Sequence, residues 1–455
     1  MAITRYFSEL VYQIATPMKN DRRSFLKSSA FAAAGVGLSS MMPWEVLARE
    51  KRLFGANDKI GIGVIGINGM GWGDFKALLR VPDTQVIALC DVDENVLNWR
   101  KYELAKAGIT VTTYVDYRKL LDNKDVDVVI IGTPDHWHCL QMTEACAAGK
   151  DVYVEKPVGN SIQECNAMVA AQQKHNRAVQ VGQWQRSVPH FADALDFVKS
   201  GKLGKIRTVK AWAYQGWMTN IENKPDAATP AGVHYDMWLG PATKRPFNPN
   251  RFHFNFRWFW DYAGGLMTDW GVHCIDYALL GMDAGFPKSA AALGGKLAYP
   301  DGAHETPDTL AVVYEFDDYV MIWEQAQGID NGPYGRDHGI SFVGNNGTLV
   351  LDRGGWEVIP DMKRMEAVPL QPRKGDGLDF HMQNFIDVVK SRKMSDLHCP
   401  IQAGAHVATV CQMGNISYKT GQKVSWDAGK QKFNEEKANA YINAKYNNGY
   451  QVPKG

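Results

Sequence analysis

Residues 59–71 read KIGIGVIGINGMG, and this stretch decides the fold. The apolar run from Ile60 to Ile65 predicts a buried strand, and it leads straight into a glycine-rich turn. Gly66 and Gly71 stand at the first and third places of G-x-G-x-x-G, while Asn68 holds the second place with Gly69 beside it. Glycines there permit a tight turn and let backbone N–H groups approach a pyrophosphate at a helix N-terminus. Asn tolerates positive φ better than most residues, and Gly69 adds clearance, so the departure at Asn68 is expected to preserve the site. Asp91 ends the second predicted strand, 20 residues after Gly71. A carboxylate at that point accepts a hydrogen bond from a ribose 2′-hydroxyl and repels a 2′-phosphate, so the expected cofactor is NAD rather than NADP.

Outward from the turn, short apolar runs alternate with longer amphipathic stretches: QVIALCDVD, VDVVIIGTP, LQMTEACAAGK, DVYVEKP and AVQVGQ. That alternation predicts an α/β unit, a doubly wound parallel sheet over residues 58–183. Residues 184–427 behave differently. IRTVKAWAY, DTLAVVYEFDD, YVMIWEQAQ, HGISFVG and GTLVLD read as strands joined by tight turns at Asp317-Asp318 and Asn345-Asn346-Gly347. They predict an antiparallel meander in a separate α+β domain. Two late helices are expected over DFHMQNFIDVVKSRK and HVATVCQMGNISYKT, the second stopped by Gly421. Residues 428–455 form a polar tail, rich in Asn and Lys, for which no firm order is expected.

Fifty basic and 49 acidic side chains leave a net charge of +1, which gives no electrostatic reason to expect nucleic acid or an anionic membrane as partner. Small molecules are the expected partners. The 14 Trp and 18 Tyr suit core packing first, and after it the stacking of aromatic faces on sugars. Seven Cys without C-x-x-C or zinc-type spacing predict free thiols and no structural metal.

Residues 1–48 read as a twin-arginine export signal. Arg22 and Arg23 precede Phe25, Leu26 and Lys27, an apolar stretch runs from Ala30 to Leu38, and small residues suit cleavage after Ala48. Nine apolar residues are too few to span a bilayer, which takes about 20. Met18 offers an alternative start. The expected location is periplasmic.

Three further motifs carry chemistry. In YVEKPVG, Lys156 ends a parallel strand, where side chains face the ligand crevice. In GGLMTDWGVHCID, Asp269 and His273 lie four residues apart, a spacing that fits a catalytic pair on one helix face and fits equally a capping Asp with a core His. In TPDHWHC, His136 and His138 flank Trp137, and no third ligand nearby supports a metal site.

Taken in order, VIGINGMG, TPDHWHC, YVEKPVG and GGLMTDWGVHCID resemble the Gfo/Idh/MocA family, glucose-fructose oxidoreductase, inositol dehydrogenase and their relatives, over roughly residues 58–425. The resemblance implies a Rossmann domain plus an α/β domain whose open antiparallel sheet often supports homo-oligomers, with a nicotinamide cofactor in the cleft between them. It implies catalytic roles for Lys156, Asp269 and His273, with the imidazole taking the proton from a substrate hydroxyl. It places Gly66, Asn68, Gly69, Met70, Gly71, Asp91, Thr133, Pro134, His136, His138, Glu155, Lys156 and Gln183 at the cofactor. Arg186, Tyr214, His234, Tyr235 and Trp238 are candidate substrate contacts.

The expected activity is NAD-dependent oxidation of a sugar, polyol or glycoside hydroxyl. Export sharpens it, because no free NAD pool outside the cytoplasm recycles the cofactor. A bound NAD must then be returned to its starting state in each turnover. Coupled oxidation and reduction of two sugars meets that condition; so does a redox-neutral glycoside hydrolase or lyase resembling the NAD-dependent N-acetylgalactosaminidases. A non-catalytic NAD-bound sugar sensor is the weaker alternative, since it would have lost the Lys, Asp and His set.

Overall fold

Strand β1 (Ile60–Ile65) is buried along its whole length in the computed structural model, which describes residues 59–454. The export-signal reading of residues 1–48 lies outside the described residues. After β1 the chain alternates as the hydrophobic pattern predicts: α1 (Met70–Leu78), β2 (Thr84–Cys90), α2 (Glu94–Lys106), β3 (Thr112–Tyr114), α3 (Tyr117–Leu121), β4 (Val128–Ile131), α4 (Asp135–Ala147), β5 (Asp151–Val154), α5 (Ile162–His175) and β6 (Val179–Val181). The caps are local: Asp93 and Asp116 accept from the N–H two residues on, and Ser161 with Glu164 forms a reciprocal capping box at α5. The six strands are parallel in the order β3-β2-β1-β4-β5-β6. The direction of winding reverses between β1 and β4, and a crevice opens there at the carboxyl ends of the strands.

The second sheet starts after α6 (Pro189–Lys199). Its elements are β7 (Ile206–Gln215), α7 (Tyr235–Leu239), α8 (Leu266–Asp269), α9 (Gly271–Gly281), β8 (Ser289–Gly295), β9 (Thr309–Glu315), β10 (Val320–Gln327), β11 (His338–Gly344), β12 (Gly347–Asp352), β13 (Gly355–Pro360) and β14 (Val368–Pro372). With β15 (Val424–Asp427) and β16 (Lys432–Phe433) the strand order is β14-β13-β12-β11-β7-β10-β9-β8-β15-β16. The expected antiparallel pairing runs through most of this sheet, and at its centre β7 and β10 run parallel. Residues 216–319 form a crossover long enough to bring β10 back beside β7 in the same direction, and a hairpin turn cannot do that. One face packs α6, α9 and α11 (Ile401–Thr420) around Ala211, Tyr314, Trp323 and Phe342. The other face leaves Leu293, Val313 and Val320 exposed.

The two late helices do not stay with the second sheet. In α10 (Gly377–Ser391), Met382, Phe385, Ile386 and Val389 pack with Ile60, Ile62, Phe75 and Tyr153, so this helix covers one face of the Rossmann sheet. Helix α11 stops at Gly421 in the left-handed region, as its sequence predicts, and divides its side chains between the cores. Ala405 and Ala408 pack with the Rossmann strands, while Val407, Val410 and Met413 pack with the second domain.

The polar tail, for which the sequence left order open, is folded. It forms β16 and α12 (Glu436–Asn439) and then runs back across the Rossmann domain. Tyr446 donates to Glu164 Oε1 at 2.7 Å, Asn448 Nδ2 donates to the Gly240 carbonyl at 2.7 Å, and the Tyr450 ring meets Trp137 edge-on at 5.5 Å. Amides that bond to distant carbonyls anchor a chain without any apolar periodicity to reveal it. Among the described residues, no helix is long and apolar enough to cross a membrane, and all seven Cys are buried free thiols.

Candidate active site

The crevice at the switch between β1 and β4 widens into a cleft of about 880 Å³. One wall is the glycine turn. Gly66 takes φ +80°, and a Cβ on Gly71 would stand 2.1 Å from the Gly66 carbonyl oxygen, so the turn and the helix start touch backbone to backbone. Gly69, in contrast, faces open space within the cleft, and α1 has no side-chain cap. The Trp72 N–H donates to the Gly69 carbonyl, and the Met70 and Gly71 N–H groups are left for an anionic ligand. Asn68 needs no positive φ; that demand falls on Gly66 alone. Its amide lies 3.0 Å from His253 Nδ1, and Arg100 Nη2 donates to its carbonyl. Asp91 lines the same wall, with its carboxylate accepting from the Ile67 N–H and the Asp93 N–H at 3.0 Å each. A close-packed glycine turn, an uncapped helix start and an acidic strand end fit a dinucleotide.

Deeper in the cleft, Glu155 and Lys156 follow β5. Lys156 Nζ donates to Asp269 Oδ1 at 2.8 Å and to the Asp269 carbonyl at 3.0 Å, and Arg257 Nε donates to the same Oδ1 at 3.2 Å. Burial by itself raises the Asp269 pKa; the two cations more than reverse this and hold its carboxyl well below the usual range. His273 lies on α9, and Trp270 separates it from the end of α8 at Asp269. The one-helix pair predicted from the spacing is thus replaced by a kinked arrangement in which the carboxylate serves Lys156 and Arg257. The imidazole lines the cleft with its Nδ1 buried and without a partner. Burial, then the nearby Lys156 and Arg353 charges, push its pKa well below the ordinary value, so His273 is neutral and able to accept a proton.

Two buried carboxyls complete this end. Glu155 has an unpartnered Oε1 and is raised by burial to about 7; Asp135, the first residue of α4, is raised by burial to about 8. Both line the cleft. Carboxyls held near neutrality in this way can donate protons.

Of the predicted cofactor residues, Gly66, Asn68, Gly69, Met70, Asp91, Thr133, Pro134, Glu155 and Lys156 line the cleft, while Gly71 buttresses the turn from behind. His136, His138 and Gln183 do not line it. The His136 Nε2 lies 3.1 Å from the Trp238 carbonyl, and the His138 nitrogens lie 2.7 and 2.8 Å from the Pro157 and Thr133 carbonyls. Both rings brace the backbone around the motif, and burial lowers both pKa values to about 4. Gln183 points into the interior, where the Cys399 thiol donates to it; its neighbours Gly182 and Trp184 face the cleft instead. No group of three or more His, Cys, Asp or Glu side chains among the described residues is placed to hold a metal.

Among the predicted substrate contacts only Trp238 lines the cleft. Arg186 forms a two-point ion pair with Asp276, Tyr214 lies beside Glu324 on β7, and His234 pairs with Glu94. Tyr235 is buried, stacked on Trp238, with its hydroxyl on the Pro246 carbonyl. Asp135 and Trp270 sit inside the TPDHWHC and GGLMTDWGVHCID motifs and reach the cleft, as do Arg257 and Trp184, which lie outside them. Arg353 and Tyr450 also line it and belong to no sequence pattern that marks them.

Comparison with known proteins agrees with this fold. The chain is 33% identical over 159 residues to glycosyl hydrolase family 109 protein 2 of Shewanella sp. (strain ANA-3), a match that covers 32% of this chain and 35% of that protein. It is 29% identical over 174 residues to inositol 2-dehydrogenase of Salmonella paratyphi B, covering 38% of this chain and 49% of the relative. The chain therefore spans between a third and a half of the length of these two curated relatives. The aldose-aldose oxidoreductase of Caulobacter crescentus, solved with glycerol, shares the fold with a TM-score of 0.62 at 18% identity, covering 81% of this chain and all of that one. Family models match residues 60–183 as the NAD-binding Rossmann fold and residues 198–452 as the C-terminal alpha/beta domain of one oxidoreductase family. The chain belongs to the Gfo/Idh/MocA oxidoreductase family.

Proposed function

We propose that this protein is an NAD-dependent oxidoreductase acting on the CH–OH group of a sugar, polyol or glycoside. The observation that carries the reading is one cleft lined by the glycine turn, the Lys156–Asp269 pair and a neutral His273. Bound NAD supplies the acceptor for the hydride that leaves the carbinol carbon. His273 takes the hydroxyl proton. Lys156 stabilises negative charge developing on the same oxygen, and Asp269 keeps the ammonium in place. Asp91 favours NAD over NADP. The names of the Salmonella and Caulobacter relatives, an inositol dehydrogenase and an aldose-aldose oxidoreductase, support a polyol or sugar substrate.

The twin-arginine pattern supports a periplasmic location, with the cofactor bound tightly and restored in each cycle. The exposed face of the second sheet, with Leu293, Val313 and Val320, supports assembly with further copies of the chain. A redox-neutral glycoside hydrolase is the second reading. It is favoured by the name of the Shewanella relative and by Asp135 and Glu155, whose raised pKa values suit protonation of a leaving oxygen. The presence of Lys156, Asp269 and His273 together speaks against a non-catalytic sensor.

The test is to denature purified protein, assay released NAD and NADH, and incubate the loaded protein with sugars, polyols and aryl glycosides. Oxidation of one substrate, alone or coupled to reduction of another, supports the oxidoreductase. Aglycone release without net NADH overturns it in favour of the hydrolase.

A further inference from the structure

Arg353 lies between β12 and β13 and lines the cleft near His273. Its guanidinium is sandwiched by two indoles, with Cζ 4.9 Å from the Trp184 ring and 4.6 Å from the Trp270 ring. Its Nε is buried without a hydrogen-bond partner, and among the described residues no carboxylate forms an ion pair with it. Comparable arginines are treated otherwise. Arg186 pairs with Asp276, Arg257 with Asp269, Arg245 with Asp261 and Glu305, and Arg336 with Asp352 and Glu357. Two aromatic faces hold the Arg353 plane but satisfy none of its N–H donors, which lie at the guanidinium edge. Arg373 also lines the cleft, and its Nε donates only to the Gly375 carbonyl. Asp269 and Asp337 offset its burial only at longer range, so a guanidinium that no carboxylate contacts gains from a ligand that brings an anion.

We infer that Arg353, with Arg373 behind it, binds an anionic group on the substrate, the carboxylate of a sugar acid or the phosphate of a sugar phosphate. The planar fork matches either anion with two parallel hydrogen bonds, and the indoles fix the plane in which it binds. The inference rests on the proposed function, because the anion then positions the sugar whose hydroxyl faces His273.

The experiment uses NAD-loaded protein, with calorimetric binding and turnover measured for glucose, galactose, glucuronate, galacturonate and glucose 6-phosphate. At least one anionic sugar is expected to bind about 10- to 100-fold more tightly than its neutral parent, the range of hydrogen bonds to a charged group. The carboxylate and phosphate arms identify the source of the anion. Arg353→Gln is expected to bring the ratio close to one, and Arg353→Lys to recover only part of it, since an ammonium lacks the fork. The wild-type ratio needs no variant, so a folding defect in Arg353→Gln leaves that arm intact. Equal binding of charged and neutral sugars overturns the inference, as does a preference that survives Arg353→Gln in folded protein. Oxidation of all five sugars without anion preference defeats the inference and leaves the proposed function standing. Arg353-dependent anion binding with no oxidation does the reverse, and no binding of any probe overturns the inference.

Discussion

Asp269 holds Lys156 twice, by its carboxylate at 2.8 Å and by its own carbonyl at 3.0 Å. The lysine is thereby fixed in the cleft. Lys156→Met is expected to lower kcat by about 10²- to 10⁴-fold, the usual contribution of a positioned acid or base, while NAD remains bound. Asp269→Asn leaves Lys156 and Arg257 facing a neutral amide, and is expected to lower stability by on the order of 3 kcal/mol. Steady-state kinetics and urea unfolding of the two variants check this.

His273 works as a base only when neutral. Its pKa is lowered, so the neutral form persists as pH falls through the ordinary histidine value of about 6.5. The acid limb of kcat/KM is therefore expected well below pH 6.5. A pH profile of the wild type checks it, with His273→Ala expected to lose about 10²-fold or more and keep its cofactor. An acid limb at 6.5 or above would show that another group is the base.

The glycines of the turn divide into two kinds. Gly71→Ala forces a methyl within 2.1 Å of the Gly66 carbonyl oxygen, so it is expected to destabilise the fold as well as to abolish NAD binding. Gly69→Ala meets no protein atom within 4 Å. It is expected to leave the melting temperature nearly unchanged and to weaken NAD binding, because its methyl enters the space a pyrophosphate needs. Thermal melts with and without NAD separate the two outcomes.

Asp91 joins cofactor choice to loop structure. Asp91→Ala removes the charge that repels a 2′-phosphate along with the acceptor for the Ile67 and Asp93 N–H groups. The ratio of NAD to NADP affinity is expected to fall about tenfold or more, with a stability loss of about 1–3 kcal/mol from the unsatisfied donors. Titration with both nucleotides checks the first, chemical unfolding the second.

The tail makes a separate prediction. Glu164 is buried, and Tyr446 donates to its Oε1. Tyr446→Phe is expected to cost about 1–3 kcal/mol by stranding that acceptor. Tyr450→Ala removes a ring that lines the cleft and packs on Trp137, and is expected to weaken NAD binding with a smaller loss of stability. Unfolding curves and NAD titrations of the two variants distinguish these effects.

The Rossmann half was legible because its signals are local. A strand, a glycine turn and an acidic strand end lie within 33 residues, and the hydrophobic alternation that follows reports each crossover helix. Lys156 and His273 were found in short motifs for the same reason. What stayed hidden depends on direction and distance. His136, Thr133 and His138 share one motif, and the letters do not say that only the threonine faces the cleft. Arg186 and Arg353 look equally available in sequence; Asp276 bonds directly to the first, while among the described residues no carboxylate bonds to the second. The parallel placement of β10 and the return of α10 to the first sheet are long-range pairings that no periodicity encodes.

That return has a consequence for the order of assembly. All six strands of the nucleotide-binding sheet are made by residue 181, but Met382, Phe385 and Ile386 cover one of its faces, and Tyr446 and Tyr450 seal the other side. A ribosome that has synthesised the whole sheet has therefore made a half-covered one, with apolar surface waiting for more than 200 further residues. The face of that sheet covered by α10 is therefore completed by chain made only after strands β7 to β14 of the second domain.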